Sequence, residues 1–283
     1  MQPIPCVTGL PTPGRTLVMG VVNVTPDSFS DGGEFLEPDA AIRHAFELLA
    51  EGADIIDVGG ESTRPGAVRP TTSVELQRVL PVVGALAEAG AVVSIDTMRP
   101  VVAAAAIDAG ARLVNDVSGG RAEPDLLRLV AETGLPYICM HWRGHSADMQ
   151  SKAVYADVVS DVVAELDAQL EACVAAGISA DRLIADPGLG FAKTGDHNWT
   201  LLQRLDELEV LGVALLIGAS RKRFLGTLLA APDGTPRPAQ ERDDASAALT
   251  ALLAERGVWG VRVHAVRANR DTVDTVARFV QRD

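Results

Sequence analysis

The chain has 283 residues, of which 47% are apolar, 22% charged and 4% aromatic. That composition excludes a disordered polypeptide, and the length suits one large core or two small ones. A formal net charge of −13 argues against a nucleic-acid-binding surface, while leaving room for a small basic pocket that takes an anionic ligand. Cys6, Cys139 and Cys173 are scattered and lack C-x-x-C spacing, so reduced thiols are expected rather than a disulfide framework or a zinc site. No apolar run is long enough to span a membrane, and no basic start leads into an apolar stretch as in a secretory signal. The expectation is a cytoplasmic protein with no membrane partner.

Short apolar runs rich in β-branched residues alternate along the chain with longer stretches of helical periodicity. Strands are predicted at 16–24, 53–60, 91–97, 112–118, 136–142, 182–188, 213–220 and 258–264. Their near-continuous apolar character implies burial on both faces, as in a parallel sheet. Between them, the stretch 157–176 repeats Val158, Val159, Val162, Val163, Leu166, Leu170, Cys173 and Val174 at helical steps, and Gly177 follows as a stop. Eight strand-then-helix units predict a (β/α)8 TIM barrel, a single domain over 16–283 preceded by a surface extension at 1–15. A doubly wound open sheet is the alternative, but no G-x-G-x-x-G follows the first strand and no phosphate-binding G-x-x-x-x-G-K-[ST] occurs. The motif-free stretch 230–242 is expected to be a long loop.

Nearly every predicted strand ends in a polar residue: Asn23, Asp57, Asp96, Asn115 with Asp116, His141, Asp186, Ser220, and Arg262 with His264. In a barrel these tips converge on one face, where a composite pocket forms. Two Gly/Pro-punctuated loops, 23–33 and 59–70, leave the same face and exceed the usual connection length, which suits lids. Arg64, Arg221, Lys222, Arg223, Arg262 and His264 gather cationic groups at that end of an acidic chain and suggest an anionic substrate. A carboxylate at the mouth, such as Asp96 or Asp186, can bind Mg2+, act as a base or accept two parallel N–H bonds from a flat heterocycle. Spacing does not choose among the three. His44, His145 and His197 read as surface residues.

The segments MGVVNVTPDSFSDGG (19–33), DVGGESTRPGA (57–67), SIDT (94–97), NDVSGG (115–120), MHWRG (140–144), DPGLGFAKT (186–194), GASRKRFLG (218–226) and RVH (262–264) occur in this order. Together they resemble the dihydropteroate synthases, sulfonamide-inhibited enzymes of folate biosynthesis, and especially their actinobacterial branch. The resemblance runs from about Met19 to Asn269. It implies a transferase that joins 6-hydroxymethyl-7,8-dihydropterin diphosphate to 4-aminobenzoate, releasing diphosphate through a carbocation-like substitution.

By the same resemblance, Asp96, Asn115, Met140, Asp186, Phe191, Lys222 and Arg262 would bind the pterin. Of these, Asp96, Asp186, Lys222 and Arg262 would be catalytic. Asn23, Arg64, Arg262 and His264 would hold the diphosphate, and Mg2+ would bridge it with help from Asn23 and Asp31. Phe29, Thr63, Pro65, Lys222 and Arg223 would form the aminobenzoate site; Arg223 stands where many relatives carry Ser. The resemblance also implies a homodimer. A non-catalytic pterin-binding paralogue is the competing reading, but it would have lost lid residues first, and here Asn23, Phe29, Asp31, Thr63, Arg64 and Pro65 keep the family pattern. A pterin-dependent methyltransferase barrel would have no use for a diphosphate site.

Overall fold

The computed structural model describes residues 4–25, 38–62, 68–145 and 149–280. Eight parallel strands close into a barrel in sequence order: β1 (Leu17–Asn23), β2 (Ile55–Gly59), β3 (Val93–Asp96), β4 (Leu113–Asp116), β5 (Tyr137–Met140), β6 (Leu183–Asp186), β7 (Ala214–Ile217) and β8 (Gly260–Val263). Each lies inside a strand expected from the apolar runs. The helices α1 (Pro38–Ala50), α2 (Thr72–Glu88), α3 (Pro100–Asp108), α4 (Asp125–Thr133), α5 (Val158–Ala175), α6 (Gly195–Gln203), α7 (Arg223–Leu228), α8 (Asp243–Glu255) and α9 (Val266–Val280) surround it. The helix expected at 157–176 is α5; Asp157 caps its N-terminus by accepting from Ser160 N, and Gly177 adopts φ 106° after its end.

Strand side chains alternate between two cores. One set, including Val18, Ile56, Ile95, Val114, Ala185 and Val261, packs outward beneath the helices. The other set, Leu17, Met19, Ile55, Leu113, Ile138, Ile184, Ala214 and Leu216, fills the barrel interior. Both faces are buried, which is why the strands read as unbroken apolar runs rather than alternating ones. The interior set is closed at the N-terminal end by Trp259 and by Val7 and Leu10. Part of the stretch expected as a surface extension is therefore a plug under the barrel. By contrast, 231–240 is exposed throughout, and the stretch expected as a long loop ends in a 3-10 turn at Ala239–Arg242.

The same parity fixes the mouth. Two residues above an interior apolar side chain stand Asp57 over Ile55, Asn115 over Leu113, Met140 over Ile138 and Asp186 over Ile184. Register sets Asp96 beside Asn115 and Met140 beside Asp186.

Candidate active site

At the centre of the mouth Arg262 bridges two carboxylates. Its Nε donates to Asp57 Oδ2 at 2.6 Å and its Nη2 to Asp96 Oδ2 at 2.9 Å. Asn115 Nδ2 donates to the same Asp57 oxygen at 3.0 Å, while Asp57 Oδ1 is buried with no hydrogen-bond partner among the described residues. Burial, and then the neighbouring Asp57, push the Asp96 carboxyl up to about 8 against the pull of Arg262. Asp186 is also pushed up by burial, while its Oδ1 accepts from Gly188 N at 2.7 Å. Gly188 has φ 66°, and a Cβ there would lie 2.5 Å from His141 O, so the turn after β6 admits no side chain.

A narrow slot lies among Asp96, Asn115, Met140, Asp186, Phe191, Lys222, Arg262 and His264. All seven residues expected around a pterin are in that set. Lys222 ends its approach with Nζ 4.4 Å from the Phe191 ring centroid, a cation–π contact. Burial lowers its ammonium to about 8, with Asp186 opposing the fall. On the other side of Phe191 and Lys222 lies a cavity of about 640 Å3 that also reaches Thr194, Arg223 and Phe224. The two residues thus form a partition between two compartments. A further cavity, about 710 Å3, lies at the barrel floor beside Cys6 and Trp259, remote from the convergent polar groups.

Several expectations are corrected. Asp116 is not in the pocket: one step from Asn115, it points outward, where its oxygens accept from Ser118 N, Gly120 N and Tyr137 Oη at 2.7–2.8 Å. His141 likewise lies behind the slot and is fully buried. Arg221 is tied to Asp243 by two bonds of 2.7 Å. His264 is not a resident cation, because burial and then Arg262 hold it down to about 3. Its backbone N donates to Ser220 Oγ at 3.2 Å and its Nδ1 shares a hydrogen bond of 3.1 Å with the same hydroxyl. His197 is half-buried and caps α6 jointly with Thr194 rather than lying free on the surface.

Phe29, Asp31, Thr63, Arg64 and Pro65 lie outside the described residues. Asn23 ends β1, half-buried at the mouth, and offers one neutral side-chain oxygen. Among the described residues no three His, Cys, Asp or Glu side chains come together as a metal cluster. The neutral oxygen of Asn23 suits an ion that keeps water and phosphate oxygens as further ligands, the usual habit of Mg2+.

The residue reading alone did not single out the central role of Asp57 or the buried group behind the slot. Lys193 Nζ lies 2.8 Å from His141 Nδ1, and His141 Nε2 lies 3.0 Å from Glu165 Oε2. Burial lowers Lys193 to about 7 and His141 to about 4. Lys193 sits inside the DPGLGFAKT segment, but its partners are spread from 141 to 165, so nothing local announces the cluster.

Residues 19–264 match the family model for pterin binding enzymes. The chain is 56% identical to a dihydropteroate synthase of Mycobacterium leprae, with 93% of each chain covered. A crystal structure of Xanthomonas albilineans dihydropteroate synthase with 4-aminobenzoic acid superposes with a TM-score of 0.87 at 41% identity, covering 95% of this chain and 94% of that one. A Yersinia pestis dihydropteroate synthase with a sulfonamide drug complex gives 0.88 at 41% identity, covering 96% and 98%.

Proposed function

Because the chain belongs to the pterin binding enzyme family, and within it to the dihydropteroate synthases, we propose how its own residues carry out that transferase reaction. The reaction joins 6-hydroxymethyl-7,8-dihydropterin diphosphate to 4-aminobenzoate. The observation that carries the assignment of residues is the partition: Phe191 and Lys222 are shared by a polar slot and an adjoining cavity, one compartment for each substrate.

In this reading the pterin lies in the slot. A buried carboxylate such as Asp186 matches the adjacent N–H donors of a 2-amino-4-oxo ring, and its bond from Gly188 N keeps the acceptor oriented. Asn115 gives one of its two N–H groups to Asp57 and keeps its oxygen as an acceptor. Met140 and Phe191 supply apolar walls. Arg262, its plane set by Asp57 and Asp96, presents a guanidinium face to the ring.

The bond that breaks joins the pterin methylene to the diphosphate oxygen, and the diphosphate leaves with the electron pair. Positive charge then develops on the methylene, beside Asp96 and Asp186, whose carboxylates stabilise it. Arg262, His264, Asn23 and, on closure, Arg64 would receive the leaving group. Mg2+ held with Asn23 and Asp31 would offset diphosphate charge when bound. The aminobenzoate nitrogen, already unprotonated at neutral pH, attacks from the adjoining cavity, and after the C–N bond forms its extra proton passes to the released diphosphate or to solvent. Lys222 and Arg223, with Phe29, Thr63 and Pro65, would hold the aminobenzoate, Arg223 acting on its carboxylate. Sulfonamides would compete there. Excluding water matters because water would trap the cation as an alcohol.

The test is dihydropteroate formation by the purified protein from the pterin diphosphate and labelled 4-aminobenzoate, with and without Mg2+. Turnover that is lost in Asp186→Ala and Lys222→Ala supports the assignment. Tight pterin binding without turnover would support the non-catalytic reading instead. The same proposal includes a homodimer in the cytoplasm, checked by light scattering on the purified chain. No helix among the described residues is long and apolar enough to cross a membrane.

A further inference from the structure

The turn between β6 and α6 carries Phe191, one wall of the slot and the platform beneath Lys222. Its backbone is strained: Ala192, a residue with a Cβ, has φ 48° in the left-handed region. Such a conformation persists only where surrounding bonds over-determine it. Two side chains reach in from behind to do so. Lys193 Nζ donates to Phe191 O at 3.1 Å, and Tyr155 Oη donates to Ala192 O at 3.0 Å.

These two donors are the ends of one circuit. From Lys193 it passes to His141 Nδ1 at 2.8 Å and from His141 Nε2 to Glu165 at 3.0 Å. Glu165 accepts from Arg143 Nε at 3.0 Å, and the Arg143 guanidinium lies 3.8 Å from the Tyr155 ring centroid. Tyr155 then returns to the turn. A neutral His141 accepts an N–H of Lys193 on one nitrogen and donates to the carboxylate from the other, so every polar group in the circuit has a partner. No member of it lines the slot, and only Lys193 lines the larger cavity.

We propose that Lys193 is a positioning residue for the pterin: with Tyr155 it holds the Gly188–Thr194 turn so that Phe191 packs against the ring and supports Lys222. This rests on the pterin slot of the proposed function. A buried lysine is costly to desolvate, and a Leu or Met would fill the same space more cheaply. What only the lysine supplies is an N–H donor that reaches the Phe191 carbonyl and is itself braced on α5 through His141 and Glu165. Without it, the strained turn relaxes and the slot loses one wall before any reacting atom is disturbed.

The experiment compares wild type, Lys193→Met and Tyr155→Phe by steady-state kinetics, by fluorescence titration with 6-hydroxymethylpterin, and by thermal unfolding. Lys193→Met is expected to raise KM for the pterin diphosphate and weaken pterin binding by about tenfold, with kcat within about threefold. Tyr155→Phe, which removes one donor and no charge, shifts the same two quantities by about threefold in a protein that unfolds near the wild-type temperature. A purely structural lysine would lower the unfolding temperature and leave KM in place. Constants within about twofold of wild type in both variants, or a fall in kcat with KM unchanged, overturn the proposal. If Lys193→Met does not fold, Tyr155→Phe decides alone. A wild-type protein that binds pterin without turnover would refute the enzymatic reading while the titrations still decide this one.

Discussion

Replacing Asp57 by asparagine keeps the shape of the active centre and removes one charge. The amide oxygen can still accept from Arg262 Nε and Asn115 Nδ2, which lie 2.6 and 3.0 Å from Asp57 Oδ2. The NH2 group then stands where Oδ1 has no partner now. Replacing the anionic acceptor of Arg262 by a neutral amide oxygen costs about 1 kcal/mol of stability, because the guanidinium keeps its bond to Asp96. The larger effect falls on Asp96. Its carboxyl is raised to about 8 by burial first and Asp57 second. Removing a like charge at such range returns about one to two pH units, or roughly 1.4–2.7 kcal/mol in favour of the carboxylate. The proposed role of Asp96 needs the ionised form, whereas Lys222, lowered to about 8, needs its proton. Wild-type kcat/KM for the pterin diphosphate should therefore follow a narrow bell centred near pH 8. In Asp57→Asn the acid limb moves down by about one to two units and the alkaline limb stays. A pH–rate series in mixed buffers reads both limbs. An acid limb within about 0.3 unit of wild type would refute the coupling of Asp57 to Asp96.

Three further outcomes follow from the same geometry. His141 is held to about 4, so between pH 6.5 and 4 the unfolded chain takes up a proton that the native chain refuses, and stability falls as pH falls across that window. His141→Gln should lose about 3 kcal/mol of that acid sensitivity, seen as a narrowing gap between the two urea midpoints at the acid end. Gly188→Ala puts a Cβ 2.5 Å from His141 O at φ 66°, so the turn must move; pterin affinity should drop by at least about tenfold by fluorescence titration, with aminobenzoate KM less affected. Leu10→Ala, under the barrel and far from the mouth, should cost about 2–5 kcal/mol in denaturant unfolding and leave KM values unchanged.

The barrel was legible because strands buried on both faces must be continuously apolar, and eight such runs separated by helix-length spacers admit few architectures. The slot was legible because parity does the rest: polar residues two positions beyond an interior apolar side chain, as Asp186 beyond Ile184, have to face the mouth. The same rule, applied more strictly, removes Asp116 from the site, since it is one step from Asn115 and faces the helices. Val7 and Leu10 escaped notice because two isolated apolar residues in a Pro-rich stretch carry no period. The Lys193 circuit was out of reach for another reason. Its partners lie 52 residues apart at the first link, and burial of a lysine is decided by packing that no local pattern encodes.

Counting cations near the end of the chain pointed to an anionic substrate, but the structure changes which cations can serve. Arg221 is spent on Asp243, Arg262 is shared by Asp57 and Asp96, and His264 is neutral at physiological pH. Lys193 faces His141 and a carbonyl. Lys222 rests on an aromatic face, and no carboxylate contacts Arg223 among the described residues. Among the described residues, the cations not engaged by a carboxylate thus stand on the partition and beyond it, on the proposed aminobenzoate side. Inside the slot, by contrast, Asp96 and Asp186 face Arg262, whose guanidinium is also held by Asp57, so a cation forming there meets carboxylates. That division suits the proposed chemistry. A positively charged methylene forms where carboxylates are held together against their preference, and the incoming anionic amine is drawn from the side where unpaired cations remain.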